Sequence, residues 1–225
     1  MKTYVISVGG SLIIPNKVDY NFLIKLKKSI NKLNKKYKIV IVTGGGKTAR
    51  TYIEPLKKAG FNNEVQSLLG IKSTQLNAML VSNFMKANKL LPNSLIEIKN
   101  LLKRTNLVVT GSIGFKPNMT SDGDSADIAR YLNAEAMINM TDVDGLFTKN
   151  PKQFRDAKFI PDISFNKFSE IANKIKFKAG QHFVLDQSAA KIIKKYGVKT
   201  VILKGVDNME KFVEGKNFKG TIISN

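Results

Sequence analysis

The chain has 225 residues, of which 43% are hydrophobic, enough to bury a substantial core. Lys and Arg number 37 against 17 Asp and Glu, so the formal net charge is +20. There is no cysteine and a single histidine, His182, which excludes disulfides, thiolate metal sites and multi-histidine clusters within one chain. Chemistry must therefore come from Lys, Arg, Asp, hydroxyl groups and backbone amides.

The patterns of hydrophobicity and charge limit the possible partners. No run of about 18 apolar residues is present, and the amino terminus leads directly into a predicted strand. We therefore expect a cytoplasmic protein without a membrane span or signal peptide. The positive charge is spread over helix faces, as at Lys25, Lys28 and Lys32, without interleaved aromatic residues. This spread is typical of solvated surface rather than of a nucleic-acid groove.

Glycine-rich turns follow the first two predicted strands. The strand 3–8 runs into Gly9-Gly10-Ser11, and the strand 38–42 runs into residues 43–50 (TGGGKTAR). A strand, glycines and then a helix present backbone N–H groups to an anion. Lys47 and Arg50 follow the second glycine-rich turn and are about one helical turn apart. The pattern predicts a phosphate site, with a flexible turn carrying two solvated cations as the alternative.

The other elements alternate along the chain. Asp19 and Ser94 are predicted to cap helices. Helical patterns cover residues 20–35, a segment that ends near 60, 64–88, 94–102, 122–133, 165–173, 187–196 and 208–214. Strand patterns cover 106–110, 136–140, 199–203 and 219–223. Such alternation predicts an α/β domain with a mostly parallel sheet and helices on both faces.

Two more polar segments follow strands. The long loop 111–122 is typical of a binding loop, with a mobile surface excursion as the alternative. Residues 141–151 follow the strand 136–140, and parallel strands bind ligands beyond their carboxyl ends. All four strand exits are therefore expected along one edge. Asp142 and Asp144 are candidate magnesium ligands, although turn formation is the commoner role of such aspartates.

Five motifs carry a resemblance to a known family. They are residues 9–11 (GGS), 44–50 (GGGKTAR), 69–78 (LGIKSTQLNA), 141–147 (TDVDGLF) and 180–192 around Asp186. In this order they resemble the amino acid kinase family over essentially the whole chain, and within it the archaeal uridylate kinases. The resemblance implies a single three-layer α/β/α domain, with the acceptor nucleotide on roughly residues 1–135 and ATP on roughly 136–225. It also implies a homohexamer built as a trimer of dimers.

The same resemblance implies an activity, which is transfer of the ATP γ-phosphoryl group to UMP to give UDP and ADP. Mg²⁺ is expected to come bound to ATP, and no metal site formed by the protein alone is expected. The implied catalytic residues are Gly10, Arg50 and Asp186. The implied ATP contacts are Ser7, Val8, Gly9, Gly10, Ser11, Gly46, Arg50, Thr141, Asp142, Phe147 and Asn150. The implied UMP contacts are Gly45, Ser67, Phe115, Lys116, Pro117, Asn118, Met119, Thr120 and Ser121.

The chain differs from the family pattern at several of these positions. Ser67 stands where relatives carry aspartate, Phe147 where tyrosine is usual and Asn150 where aspartate is usual. Two alternatives stay open. One is a kinase for isopentenyl phosphate, acetylglutamate or carbamate. Isopentenyl phosphate is disfavoured as the acceptor, because kinases for it usually carry a histidine shortly after the second glycine turn and residues 47–50 (KTAR) lack one. The other is a non-catalytic nucleotide-binding or nucleic-acid-binding relative, which the charge of +20 allows.

Overall fold

Strands and helices alternate through the part of the chain that the computed structural model describes, residues 1–114, 120–151, 153–174 and 185–225. The strands are β1 (Thr3–Val8), β2 (Lys38–Thr43), β3 (Leu107–Thr110), β4 (Ala136–Thr141), β5 (Leu146–Phe147), β6 (Phe159–Ile160), β7 (Asp162–Ser164), β8 (Thr200–Lys204) and β9 (Gly220–Ser224). The helices are α1 (Gly10–Ile13), α2 (Tyr20–Leu33), α3 (Gly46–Lys58), α4 (Asn63–Met85), α5 (Leu95–Leu101), α6 (Ser121–Tyr131), α7 (Phe165–Lys174), α8 (Gln187–Tyr196) and α9 (Val206–Val213).

Seven strands form one sheet in the order β3-β2-β1-β4-β8-β9-β7. Every pairing in it is parallel except that of β8 with β9. β1 lies inside the sheet between β2 and β4, with Val5 paired to Val40 of β2 and to Met137 of β4. One continuous sheet therefore runs through both halves of the chain. β5 and β6 form a separate antiparallel pair. The predicted α/β class with a mostly parallel sheet is confirmed.

The sheet has an apolar cluster on each face. Ile6, Ile39 and Ile41 pack with α2, α4 and α9, whereas Val5 and Val40 pack with α5, α6, α7 and α8. Successive residues of a strand point to opposite faces, so a strand buried on both sides must be apolar throughout. This explains the unbroken apolar runs of β1 and β2. The result is a three-layer α/β/α sandwich.

Most predicted elements agree with the structure within a few residues. Asp19 caps α2 by accepting from the N–H of Phe22 at 2.9 Å, and Ser94 caps α5. The predicted helix 64–88 ends earlier, at Met85, because Lys86 adopts the left-handed conformation with φ of 56°. Sequence reasoning missed α1, β5, β6 and β7, which are too short to show a periodicity. No described helix is long and apolar enough to cross a membrane.

Candidate functional site

A cleft of about 710 Å³ opens at the carboxyl ends of β1, β2 and β4. All four predicted strand exits lie on this edge of the sheet because β3 runs parallel to β2. Of the described residues in the predicted loop 111–122, Ser121 and Asp122 line the cleft, whereas residues 111–114 do not. The lining residues are Gly9, Gly10, Ser11, Gly44, Gly45, Gly46, Arg50, Ser121, Asp122, Asn139, Met140, Thr141, Asp142, Val143, Gly145, Leu146, Phe147, Thr148, Lys149, Asn150, Pro151, Gln153 and Ile171.

The two glycine turns touch each other at the bottom of the cleft. A Cβ atom on Gly10 would lie 2.3 Å from the nitrogen of Gly46 and 2.5 Å from the carbonyl oxygen of Gly44. Gly46 also has φ of 58°, a left-handed conformation that favours glycine. Both positions therefore require glycine so that backbone can pack against backbone.

Two helices begin at the cleft, α3 at Gly46 and α6 at Ser121. The first turn of a helix leaves N–H groups without intrahelical acceptors, and its dipole is positive at that end. Arg50 lines the cleft one turn into α3, whereas Lys47 is exposed and does not line it. Amides, helix ends and one guanidinium together form a site suited to phosphate groups.

Asp122 places a carboxyl group among the phosphate-binding groups of the cleft. It lies in the first turn of α6, and its Oδ1 accepts from the hydroxyl of Ser7 at 2.9 Å. Burial and the nearby charge of Asp186 raise the pKa of Asp122 to about 7, although the Ser7 hydrogen bond opposes the rise. The carboxyl group therefore titrates near neutral pH.

Asp186 lies next to Asp122 at the start of α8. Its Oδ1 accepts from the N–H of Ala189 at 2.9 Å and so caps that helix, while the hydroxyl of Thr120 donates to its Oδ2. Thr120 in turn caps α6. The aspartate pair thus joins β1, α6 and α8 behind the glycine turns. From the sequence, Asp122 is predicted as the end of the binding loop 111–122 and as a helix start, but not as a site residue.

The far wall of the cleft is the segment after β4. Gly145 has φ of 156°, and a Cβ there would lie 2.6 Å from Oγ1 of Thr221. This hydroxyl accepts from the N–H of Leu146 at 2.7 Å and donates to the carbonyl of Ile160 at 2.5 Å. One buried threonine of β9 therefore fixes the β5–β6 hairpin, which carries Phe147 into the cleft.

The aspartates of this segment differ in their surroundings. Asp142 lines the cleft, whereas Asp144 forms an ion pair with Lys219 at 2.6 Å. The described residues contain no group of three or more His, Cys, Asp or Glu side chains that could hold a metal ion. The ion pair ties the segment to the start of β9.

Comparison with known proteins agrees with this architecture. The model of the amino acid kinase family matches residues 2–204. The chain belongs to the amino acid kinase family. The uridylate kinase of Pyrococcus abyssi is 35% identical to it over 223 residues, which cover 97% of this chain and 98% of that protein. The uridylate kinase of Archaeoglobus fulgidus is 34% identical over 222 residues, covering 98% of this chain and 99% of that protein.

Solved structures of family members show the same fold. The crystal structure of the Archaeoglobus fulgidus uridylate kinase superposes with a TM-score of 0.86 at 32% identity, and the match covers 100% of both chains. The UMP kinase of Ureaplasma parvum superposes with a TM-score of 0.80 at 22% identity, covering 100% of this chain and 99% of that chain. The second match supports the fold alone.

Most of the residues expected from the family pattern come together in the cleft. They are Gly9, Gly10, Ser11, Gly45, Gly46, Arg50, Ser121, Thr141, Asp142, Phe147 and Asn150. Ser7 and Val8 are buried in β1 behind the cleft, and Ser7 contacts it through Asp122. Asp186 also lies behind the lining residues, beside Asp122.

One expected UMP contact, Ser67, lies away from the cleft, and five others belong to a segment that the structure does not describe. Ser67 is exposed on α4 and does not line the cleft. It precedes Gly70 by nearly one turn, and the carbonyl of Gly70 is 3.4 Å from the position of a Cβ on Gly45. Residues 115–119 lie outside the described part of the chain, so Thr120 and Ser121 are the described residues of that predicted loop contact.

Four other lining residues were not predicted at the site, because they reach the cleft only through tertiary packing; they are Asn139, Met140, Gln153 and Ile171. The remaining lining residues belong to segments that the sequence does predict at this edge, although without individual contacts; they are Gly44, Asp122, Val143, Gly145, Leu146, Thr148, Lys149 and Pro151. One sequence signal was available for Asp122. It is a carboxylate in the first turn of a helix that directly follows a polar loop.

Proposed function

We infer that this chain is a uridylate kinase, which transfers the γ-phosphoryl group of ATP to UMP and produces UDP and ADP for pyrimidine nucleotide biosynthesis. The observation that carries the inference is a cleft where two touching glycine turns stand beside Arg50 and Asp122. It occurs in a chain 35% identical, over nearly its full length, to a uridylate kinase.

The residues of the cleft suit this reaction. An oxygen of the UMP phosphate attacks the γ-phosphorus of ATP, and the bond from that phosphorus to the β,γ-bridging oxygen breaks, so ADP leaves. Such a transfer needs positioning and positive electrostatics more than covalent catalysis. Amides of the glycine turns and the guanidinium of Arg50 supply donors for the charged phosphate oxygens. No histidine or cysteine is required.

The assignment of individual residues is part of the proposal. Gly10, Arg50 and Asp186 are the proposed catalytic set, the first two at the cleft and the third beside Asp122. The half of the chain up to about residue 135 holds UMP, and the half from about 136 holds ATP. The glycine turns at the end of β1 and β2 and the segment after β4 support this division, because they form opposite walls of one cleft.

Magnesium fits this cleft as a companion of ATP. Mg²⁺ usually binds through substrate phosphates together with one or two carboxylates. Asp122 and Asp142 are the carboxylates that line the cleft. When bound, the ion would neutralise charge on the transferred phosphoryl group. A cytoplasmic location follows from the two proposed substrates.

We also propose that the enzyme is a homo-oligomer, a hexamer built from dimers. The support is an apolar groove of about 490 Å³ along α4, lined by Ile14, Val18, Leu76, Asn77, Met79, Leu80, Asn83 and Phe84. Leu76 and Met79 are 57% and 54% exposed in the single chain. Exposed apolar patches of this kind are typical of interaction sites. Sedimentation equilibrium tests the proposal, and a monomer at micromolar concentration would refute it.

A coupled assay of ADP release tests the proposed activity. We expect release with ATP and UMP and only background release with isopentenyl phosphate, acetylglutamate or carbamate. Preference for one of those acceptors would replace UMP by another substrate on the same fold. Binding to long RNA or DNA that weakens steeply with salt, without acceptor-dependent turnover, would instead favour a nucleic-acid-binding relative.

A further inference from the structure

Asn77 joins α4 to the second glycine turn. Its side chain is buried, with 1% of its surface exposed. The amide nitrogen donates to the carbonyl oxygen of Gly44 at 2.7 Å and to that of Gly45 at 3.2 Å. Both hydrogens of one side-chain amide are therefore used on consecutive peptide groups of the turn that lines the cleft.

The shorter of these bonds sets the direction of one amide of the turn. In a trans peptide the C=O and the following N–H point in opposite directions. When Asn77 draws the carbonyl of Gly44 toward α4, the N–H of Gly45 turns away from α4. The carbonyl of Gly45 also accepts from the N–H of Ala49 at 3.1 Å, so α3 helps to set its direction. The bond from Asn77 satisfies the carbonyl oxygen of Gly44, which would otherwise present negative charge near a phosphate.

We propose that Asn77 is a positioning residue, which holds the N–H of Gly45 in the orientation that binds and orients the UMP phosphate. The inference rests on the proposed function, since it names the role of one residue in that reaction. Asn77 does not line the cleft itself. It acts through the peptide groups of Gly44 and Gly45.

The other half of the Asn77 amide supports a role beyond stability. Its Oδ1 is buried and makes no hydrogen bond to any described part of the chain. A buried acceptor without a partner destabilises the folded state, and an apolar side chain of similar shape would avoid that cost. The asparagine is thus a poor choice for packing alone, whereas its two donors match the two turn carbonyls.

The structure around Asn77 allows its role to be tested without unfolding the protein. α4 is also fastened to the neighbouring strand ends through Thr74, whose carbonyl accepts from the hydroxyl of Thr43 at 2.8 Å. The hydroxyl of Thr74 accepts from the N–H of Ser112 at 2.9 Å. Replacing Asn77 by leucine leaves these bonds in place. Loss of the two hydrogen bonds donated by Asn77 lowers the stability of the variant, whereas removal of the unpaired Oδ1 raises it.

The test compares Asn77→Leu with Asn100→Leu in the full chain. Asn100 is an exposed residue of α5 that lines neither the cleft nor the groove proposed as the oligomer contact. We expect kcat/KM for UMP to fall about 10- to 100-fold in Asn77→Leu, because misplaced binding groups lose catalytic geometry. The KM for ATP and the melting temperature should stay close to the parent values. Asn100→Leu should match the parent throughout.

Two results would overturn the inference. One is parent-like UMP kinetics in Asn77→Leu; the other is an equal loss toward UMP and ATP together with a lowered melting temperature, which indicates a structural role. Calorimetric titration with inorganic phosphate, which resembles the single phosphate of UMP, separates this inference from the proposed function. If the parent shows no UMP-dependent release of ADP, the proposed function fails. Weaker phosphate binding by Asn77→Leu would still support the role of Asn77, and equal binding would refute it.

Discussion

Replacing Asp122 by asparagine should stabilise the protein more at alkaline than at acidic pH. Burial and Asp186 raise the pKa of Asp122 from 3.8 to about 7 in the folded chain. As pH rises from about 4 to 7, the unfolded chain ionises this group more easily than the folded chain, so the parent loses stability. The total loss is at most about 4 kcal/mol once both states are ionised. Asparagine carries no such charge.

Urea unfolding at two pH values measures the effect. The difference in unfolding free energy between Asp122→Asn and the parent should grow by up to about 2 kcal/mol from pH 5.5 to pH 8. Water in the cleft screens the charge of Asp122 and makes this increase smaller. Asp207→Asn is the control, because Asp207 is exposed and pairs with Lys25 at the surface. A difference that stays constant with pH would refute the assigned burial and charge repulsion at Asp122.

Three further substitutions test separate parts of the site. Arg50→Ala should raise the KM for UMP about 10- to 100-fold, because it removes one charge-assisted contact worth roughly 1.5 to 3 kcal/mol. Lys47→Ala should leave this KM unchanged, and equal effects of the two substitutions would show that Arg50 does not belong to the site. Gly10→Ala should abolish turnover because its Cβ would meet the nitrogen of Gly46 at 2.3 Å, and parent-like kinetics would contradict this close packing. Thr221→Val should raise the KM for ATP more than that for UMP by freeing the β5–β6 hairpin, whereas Thr221→Ser should preserve it; unchanged ATP kinetics in the valine variant would show that the hairpin does not depend on this hydroxyl.

The parts of the fold that sequence predicted well are those with local causes. Apolar runs gave the central strands, and Asp19 and Ser94 marked helix starts because a cap acts within three residues. The glycine turns were also recognisable, since the order of strand, glycines and helix is local. The structure adds why they are glycines, which is the contact between Gly10 and Gly46.

The parts that sequence missed depend on contacts between distant residues. Thr120 and Asp186 are hydrogen-bonded although they are 66 positions apart. The pKa of Asp122 is raised by its burial and by the charge of Asp186, and both causes depend on tertiary packing. The bonds from Asn77 to the second glycine turn join residues 33 and 32 positions apart. No periodicity or spacing in the sequence reports such pairs, because they arise only when the layers pack.

Phosphorus NMR of the chain with ATP, Mg²⁺ and UMP tests the central claim most directly. The γ-phosphorus signal of ATP should decrease, and the β-phosphorus signal of UDP and the signals of ADP should increase in equal amounts. Arg50→Ala should slow this phosphoryl transfer, and omission of UMP should stop it. Inorganic phosphate in place of UDP, or no loss of ATP signal when UMP is present, would contradict phosphoryl transfer to UMP in this cleft.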